Sequence, residues 1–363
     1  MKSLKHQITR EANTSIKKPP LISAVDLFCG AGGLSWGLKE AGIEVVAGVD
    51  LDDNCAYPFE QNIGGKFIKA DIANIKSKDF EDLWVPGSKR LLAGCAPCQP
   101  FSSHRRGQDT RHEKNWPLLN EFSRLIKEVR PDYVTMENVT GLSRQPVFKI
   151  FTEELIKLGY NIDYKILYGP EFGLPQARRR LVLVGALSQN IFVPTGTYSN
   201  SNFRTVRDAI GDLPKINHGE ASNTDPLHVA RKFTEINLKR IQASVPGGTW
   251  LDWPEDLRAN CHKKTSGMTF KSFYGRMSWD LPSPTITTQS YNYGTGRFGH
   301  PEQDRSITLR EAAILQGFPR NYKFHNPEKR MSIERVGKLI GNAVPPPFGK
   351  AVGKIFLDSV KKI

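Results

Sequence analysis

The amino-acid sequence predicts an α/β protein, with a doubly wound, mostly parallel sheet followed by a smaller, loop-rich unit. Three observations predict it. From Leu21 to about Ser188, short apolar runs alternate with stretches whose apolar residues recur at helical spacing. Several of those runs end on glycines or acids, the pattern of strands whose carboxyl ends face a ligand. From 189 to 304, Gly, Pro, Asn, Ser and Thr with scattered aromatics replace any sustained periodicity, so loops and short strands are expected there.

Each element follows from its residues. Ile22 to Phe28 is an apolar strand run, and Gly30-Ala31-Gly32-Gly33 is a tight turn. Leu34, Leu38 and Ala41 then mark a helix that Gly42 stops. Ile43 to Val49 is a strand closed by Asp50, and Phe67-Ile68 begins a short one closed by Asp71. Leu91 to Ala93 precedes the segment Gly94-Cys95-Ala96-Pro97-Cys98-Gln99-Pro100-Phe101-Ser102, where proline ends the strand and stiffens a loop. Leu118, Phe122, Leu125, Ile126 and Val129 form a helical stripe, and Tyr133 to Met136 a strand ending at Glu137-Asn138. Phe148, Phe151, Leu155 and Leu158 mark another helix, followed by strands over Ile162 to Leu167 and Leu181 to Val184. Helical spacing resumes at Leu309, Ala312, Ala313 and Gln316, and in a last helix from about Pro347.

At 363 residues the chain has room for a large core and about two domains. Its net charge of +14 spreads a positive field that favours polyanions, nucleic acid first. No run of about 18 apolar residues exists, so no membrane partner is expected. The lysine-bearing start, residues 1–20, lacks an apolar stretch and reads as a basic arm rather than a secretory signal. Five cysteines, an odd number, argue for a reducing cytoplasm over a disulfide framework.

The cysteine loop admits three readings from its own residues: a nucleophile held at a sheet edge, an inert buried thiol, or a C-x-x-C redox or zinc site with His104 and His112. The histidine spacing suits a zinc finger poorly. The glycine turn is not the G-x-G-x-x-G fingerprint, which favours a nucleoside without a pyrophosphate; Asp50 lies about 20 residues on, where an acid takes ribose hydroxyls. In Gln176-Ala177-Arg178-Arg179-Arg180, alternation puts Gln176, Arg178 and Arg180 on one side.

In order along the chain stand Asp26-Leu27-Phe28-Cys29-Gly30-Ala31-Gly32-Gly33, Pro97 to Ser102, Glu137-Asn138-Val139 and Gln176 to Arg180. Then come Arg310-Glu311-Ala312-Ala313 with Gln316-Gly317-Phe318-Pro319, and Gly341-Asn342-Ala343-Val344-Pro345-Pro346. This series resembles the DNA (cytosine-5)-methyltransferases of the bacterial restriction-modification type, from about Ile22 onward except in the middle region. The resemblance implies a Rossmann-like fold that uses S-adenosyl-L-methionine, at 21–188, with a target-recognition domain at 189–304. Residues 305–363 are then a C-terminal segment whose final helix packs back on the catalytic domain.

Cys98 is then similar to the nucleophile that adds to C6 of a flipped-out cytosine, and Glu137 to the acid that engages the N3 side of the ring. Arg178 and Arg180 match the pair that hold the base and the catalytic loop. Phe28, Gly30, Gly32, Gly33, Leu34, Asp50, Leu51, Asp71, Ile72, Pro97, Asn342 and Val344 match cofactor-binding positions. The resemblance implies no metal. Cys95 departs from the family's small, sulfur-free residue and is read as a buried bystander. Ser102, His104, Arg105 and Arg106 are expected to close over DNA. Arg276, Thr287, Thr288, Gln289, Tyr291 and Arg297, with Asn292 and Tyr293, are candidates for contacts in the major groove. The expected partners are double-stranded DNA and a cognate restriction endonuclease that shares the site without a stable complex. A cytoplasmic monomer is expected. The alternatives are a tRNA cytosine-5 methyltransferase and a non-catalytic nucleic-acid-binding protein.

Overall fold

The computed structural model describes residues 19–97, 117–260, 262–264 and 271–361. Seven strands form one sheet: β1 (Ile22–Leu27), β2 (Glu44–Asp50), β3 (Lys66–Lys69), β4 (Lys89–Gly94), β5 (Tyr133–Asn138), β6 (Asn161–Tyr168) and β7 (Arg179–Ala186), in the order β3-β2-β1-β4-β5-β7-β6. The pairs among β1 to β5 are parallel, whereas β7 runs antiparallel to both β5 and β6. The apolar runs marked β6 and β7 as strands without giving their direction. Direction follows from a short connection, which permits only a return in the opposite sense.

Helices α1 (Gly33–Ala41), α2 (Ala56–Ile63), α3 (Pro117–Val129) and α4 (Pro146–Lys157) fill the crossovers. Strand alternation divides the core between two faces. Ile22, Ala24, Leu91, Ala93, Val182 and Val184 pack with Leu34 and Leu38 of α1. Val25, Leu27, Leu92, Val134, Met136 and Leu183 pack with Phe122, Leu125, Phe148 and Phe151 of α3 and α4. Burial on both faces is why these strands read as continuous apolar runs.

Beyond β7 the described chain has isolated bridges in place of long strands. Its helices there are α5 (Val206–Ile210), α6 (Glu235–Gln242), α7 (Leu309–Leu315), α8 (Ile333–Asn342) and α9 (Pro346–Val360). A third core joins α5, α7 and α8 to Ala31 and Cys55, so this region grows out of the edge of the sheet. Trp250, Trp253 and Leu257 make a small satellite core. Helix α9 lies on α1 through small residues: a Cβ on Gly37 would run into the Pro346 carbonyl and the Gly349 backbone. No helix among the described residues is long and apolar enough to cross a membrane.

Candidate active site

Parallel register brings three strand ends to one level. Leu27 pairs with Gly94, and Gly94 with Met136, so the turn after β1, the segment after β4 and Glu137 share the carboxyl edge of the sheet. The reversed strand contributes differently. Asn138 pairs with Leu181, so β7 begins, rather than ends, at this edge, and Arg180 at its start, with Arg178 just before it, arrives near Glu137.

Glu137 is 5% exposed. Arg180 Nε lies 3.1 Å from its Oε1, an ion pair of proximity without hydrogen-bond alignment. The Cys95 thiol donates to Oε2 at 3.2 Å. Arg178 is buried and donates to the carbonyls of Ile286 at 3.0 Å and Gly341 at 3.3 Å, while its Nε has no hydrogen-bond partner among the described residues. Burial, and then the neighbouring Arg180 charge, push the Arg178 guanidinium down to about 9. Asn138 Nδ2 donates to the Ala96 carbonyl at 3.0 Å, pinning the chain just before Pro97. Gln176 accepts from the Ile286 amide and donates to Leu315 O and Gln316 Oε1, and Gln316 donates onward to Ala343 O. Two guanidiniums and one carboxylate in a largely buried corner form a preorganised field that can stabilise charge developing on a bound group.

The neighbouring turn is built for close approach. Gly30 has φ +54° and Gly32 φ +85°, a region that favours glycine. A Cβ at Gly30 would meet nothing within 4 Å, so that side of the turn is open. Phe28 holds φ +58°, a conformation that costs a side-chain-bearing residue on the order of 1 kcal/mol or more. Asp50 accepts from the Gly30 amide and the Asp52 amide, both at 2.9 Å, and the exposed Leu51 presents an apolar surface beside it. Opposite, a Cβ on Gly33 would strike the Val344 carbonyl, and the Tyr322 hydroxyl donates to the Ala31 carbonyl. Leu34 is buried behind the turn. Asp26 lies under it, accepting from Ser35 Oγ at 2.6 Å; burial pushes its carboxyl up to about 7. At the end of β3, Asp71 is exposed and caps the turn at Ile72, which is buried. An acid at a strand end, an open glycine turn and an exposed aliphatic side chain fit a nucleoside bearing an aliphatic tail.

The expected site residues divide. Phe28, Gly30, Gly32, Gly33, Asp50 and Leu51 meet at one turn, with Val344 behind it, and Glu137, Arg178 and Arg180 meet at the next strand ends. Asn342 is exposed at the end of α8, and Pro97 is exposed at the last described residue before the gap. Cys98, Ser102, His104, Arg105 and Arg106 lie outside the described residues.

Three groove candidates, Arg276, Tyr291 and Tyr293, need correction. Arg276 is 5% exposed and donates to the carbonyls of Ser244, His300, Gln303 and Ile241 besides pairing with Asp304. Its donors are consumed inside the fold. Tyr291 is buried against Gly337, and Tyr293 is buried with its hydroxyl 2.9 Å from Ser244 Oγ. Gln289 is exposed; Thr287, Thr288, Asn292 and Arg297 are half-buried, with Thr287 and Thr288 packed on Gly341 of α8. The roles of Cys95, Asn138, Ser35 and Tyr322 were not found from the sequence. Only the three-dimensional register sets Cys95 and Asn138 against their partners. The Ser35–Asp26 spacing across a strand-turn-helix was the one local signal.

Fold and site together define an α/β protein with a mostly parallel sheet and a buried carboxylate, flanked by arginines, beside an open glycine turn. The C-5 cytosine-specific DNA methylase family matches residues 22–357. The chain belongs to this family and is a DNA cytosine-5 methyltransferase. The Type II methylase M.HgiDII of Herpetosiphon aurantiacus is 47% identical over 92% of this chain and 94% of its own length. A Type II methyltransferase of Haemophilus parahaemolyticus is 30% identical over 93% of this chain and 87% of its own. A prophage-encoded protein of Escherichia coli, described as a DNA modification methyltransferase, shares the fold. Its TM-score is 0.71 at 22% identity, covering 94% of this chain and 99% of that one.

Proposed function

We propose that the protein is a Type II modification enzyme that methylates C5 of a cytosine within a specific double-stranded DNA sequence, with S-adenosyl-L-methionine as donor. The observation that carries this reading is the buried Glu137, flanked by Arg180 and Arg178, at the strand end next to the one that leads into Cys98. Bound at the Gly30 turn, the donor supplies a methyl group on a positively charged sulfur. Asp50, which accepts from the Gly30 amide, would hold its ribose, and the exposed Leu51 and the open side of Gly30 would line the rest of the donor site.

The chain's own residues do the rest. C5 of cytosine is a weak nucleophile. The Cys98 thiolate adds to C6 and converts the ring into an enamine-like species whose C5 is nucleophilic. Charge then builds toward N3, where Glu137 meets it with a proton or hydrogen bond, and the two guanidiniums stabilise the electron-rich ring. The nucleophilic C5 would take the methyl group, the donor's sulfur leaving as a neutral thioether; loss of the C5 proton to a solvent base then breaks the C6–sulfur bond, expels the Cys98 thiolate and restores the ring. The pocket is reached only by a base outside the duplex, at a cost of a few kcal/mol.

Sequencing the methylome of cells that express the protein identifies the site. Duplex carrying 5-fluorocytosine at that cytosine should then trap the wild type covalently in the presence of S-adenosyl-L-methionine. The Cys98→Ser variant should give no adduct. A trapped Cys98→Ser protein, or a wild type that is never trapped, refutes the mechanism.

A further inference from the structure

We infer that Cys95 is a positioning residue for the reaction, and that its thiol holds the Glu137 carboxylate in its working orientation; this rests on the catalytic reading of Glu137. Cys95 continues the β1 ladder one residue past β4, its amide donating to Leu27 O at 3.3 Å, so its backbone is fixed. Alternation puts its side chain on the face of Leu91 and Ala93, the face from which Glu137 also projects. The register that pairs Gly94 with Met136 sets Cys95 against Glu137. The result is a carboxylate held from two sides: Arg180 at Oε1, and the Cys95 thiol 3.2 Å from Oε2.

The two contacts differ in kind. Arg180 is partly exposed on a long side chain, 17% accessible, and accommodates motion. The Cys95 side chain has a single rotatable bond on a strand end. A carboxylate with one flexible partner keeps rotamer freedom, and the second, short contact removes it. Glu137 and Cys95 both lie close enough to the buried Arg178 to act on its charge.

Alanine and serine remove similar volume from cysteine, but only serine keeps a donor, so comparing them separates positioning from packing. In single-turnover methyl transfer to cognate duplex, Cys95→Ala should slow the chemical step about five- to ten-fold, the scale of one ordinary hydrogen bond, as suits a weak thiol donor. Dissociation constants for S-adenosyl-L-methionine and DNA should stay within about two-fold. Cys95→Ser should recover most of the rate. If Cys95→Ala unfolds, Cys95→Val supplies a larger side chain without a donor and should be slow alike. An equal loss in Ala and Ser, or a wild-type rate in Ala or Val, overturns the inference. Glu137→Gln separates the two claims. A wild-type rate in Glu137→Gln refutes the reading of Glu137 itself. An inactive Glu137→Gln beside a fully active Cys95→Ala refutes positioning alone.

Discussion

Glu311→Gln tests the joint that ties α7 to the loop-rich region. Arg305 and Glu311 are both buried, and the guanidinium grips the carboxylate with both ends, at 2.8 and 2.7 Å. Glu311 also accepts from the Thr308 amide at 2.7 Å, capping α7, while Arg305 Nε donates to the Ile216 carbonyl at 3.1 Å. Glutamine keeps the size but leaves the arginine buried without a counter-charge, which costs about 3–5 kcal/mol. A second route gives the same scale. Although burial alone would raise it, Arg305 holds the Glu311 carboxyl down at about 2, from 4.5. At about 1.4 kcal/mol per unit this amounts to about 3 kcal/mol.

The sign follows from a folded pKa below the unfolded one. The stabilisation is complete above pH 4.5 and fades as pH falls toward 2. Urea unfolding at pH 7.5 should show Glu311→Gln about 3 kcal/mol less stable than wild type. By pH 3.5 the gap should narrow by about 1 kcal/mol. A loss under about 1 kcal/mol at pH 7.5, or a gap that ignores pH, refutes the reasoning.

Three further outcomes are expected. Asp50→Ala should weaken S-adenosyl-L-methionine binding by roughly ten-fold or more in calorimetry while leaving DNA affinity unchanged, as removal of a charged hydrogen-bonding group requires. Gly37→Ala should lower stability by about 1–3 kcal/mol in urea unfolding, because the clash with the Pro346 carbonyl and Gly349 outweighs a helix-propensity gain of about 1 kcal/mol. Tyr322→Phe removes the bond to Ala31 O and should raise the cofactor KM several-fold with kcat unchanged; an equal fall in kcat would contradict a role confined to the turn.

Much of the sheet was legible because β1, β2, β4 and β5 are buried on both faces, so their apolar runs stand out. The direction of β7 was not, since an apolar run looks the same read either way. The strand-end acids Asp50 and Glu137 and the arginines at the start of β7 were legible as residue types at defined edges. What they touch was not, because Glu137 meets Cys95 across 42 positions of sequence through register alone. Arg276 shows the converse limit. A basic residue in a loop-rich region suggests a DNA contact, yet loops of this kind leave many carbonyls without ladder partners, and a buried guanidinium gathers them.

The seat of α9 on α1 bears on how the protein is made. The glycine face of α1 leaves the ribosome early, and its cover, around Gly349, follows about 300 residues later, which at 5–20 residues per second is a delay of about 15–60 s. Through that interval the nascent sheet carries an unfinished side, and the turn at Gly33 lacks its Val344 backing. The turn at Gly33 is therefore completed only once the chain through α9 has been made, long after α1 itself.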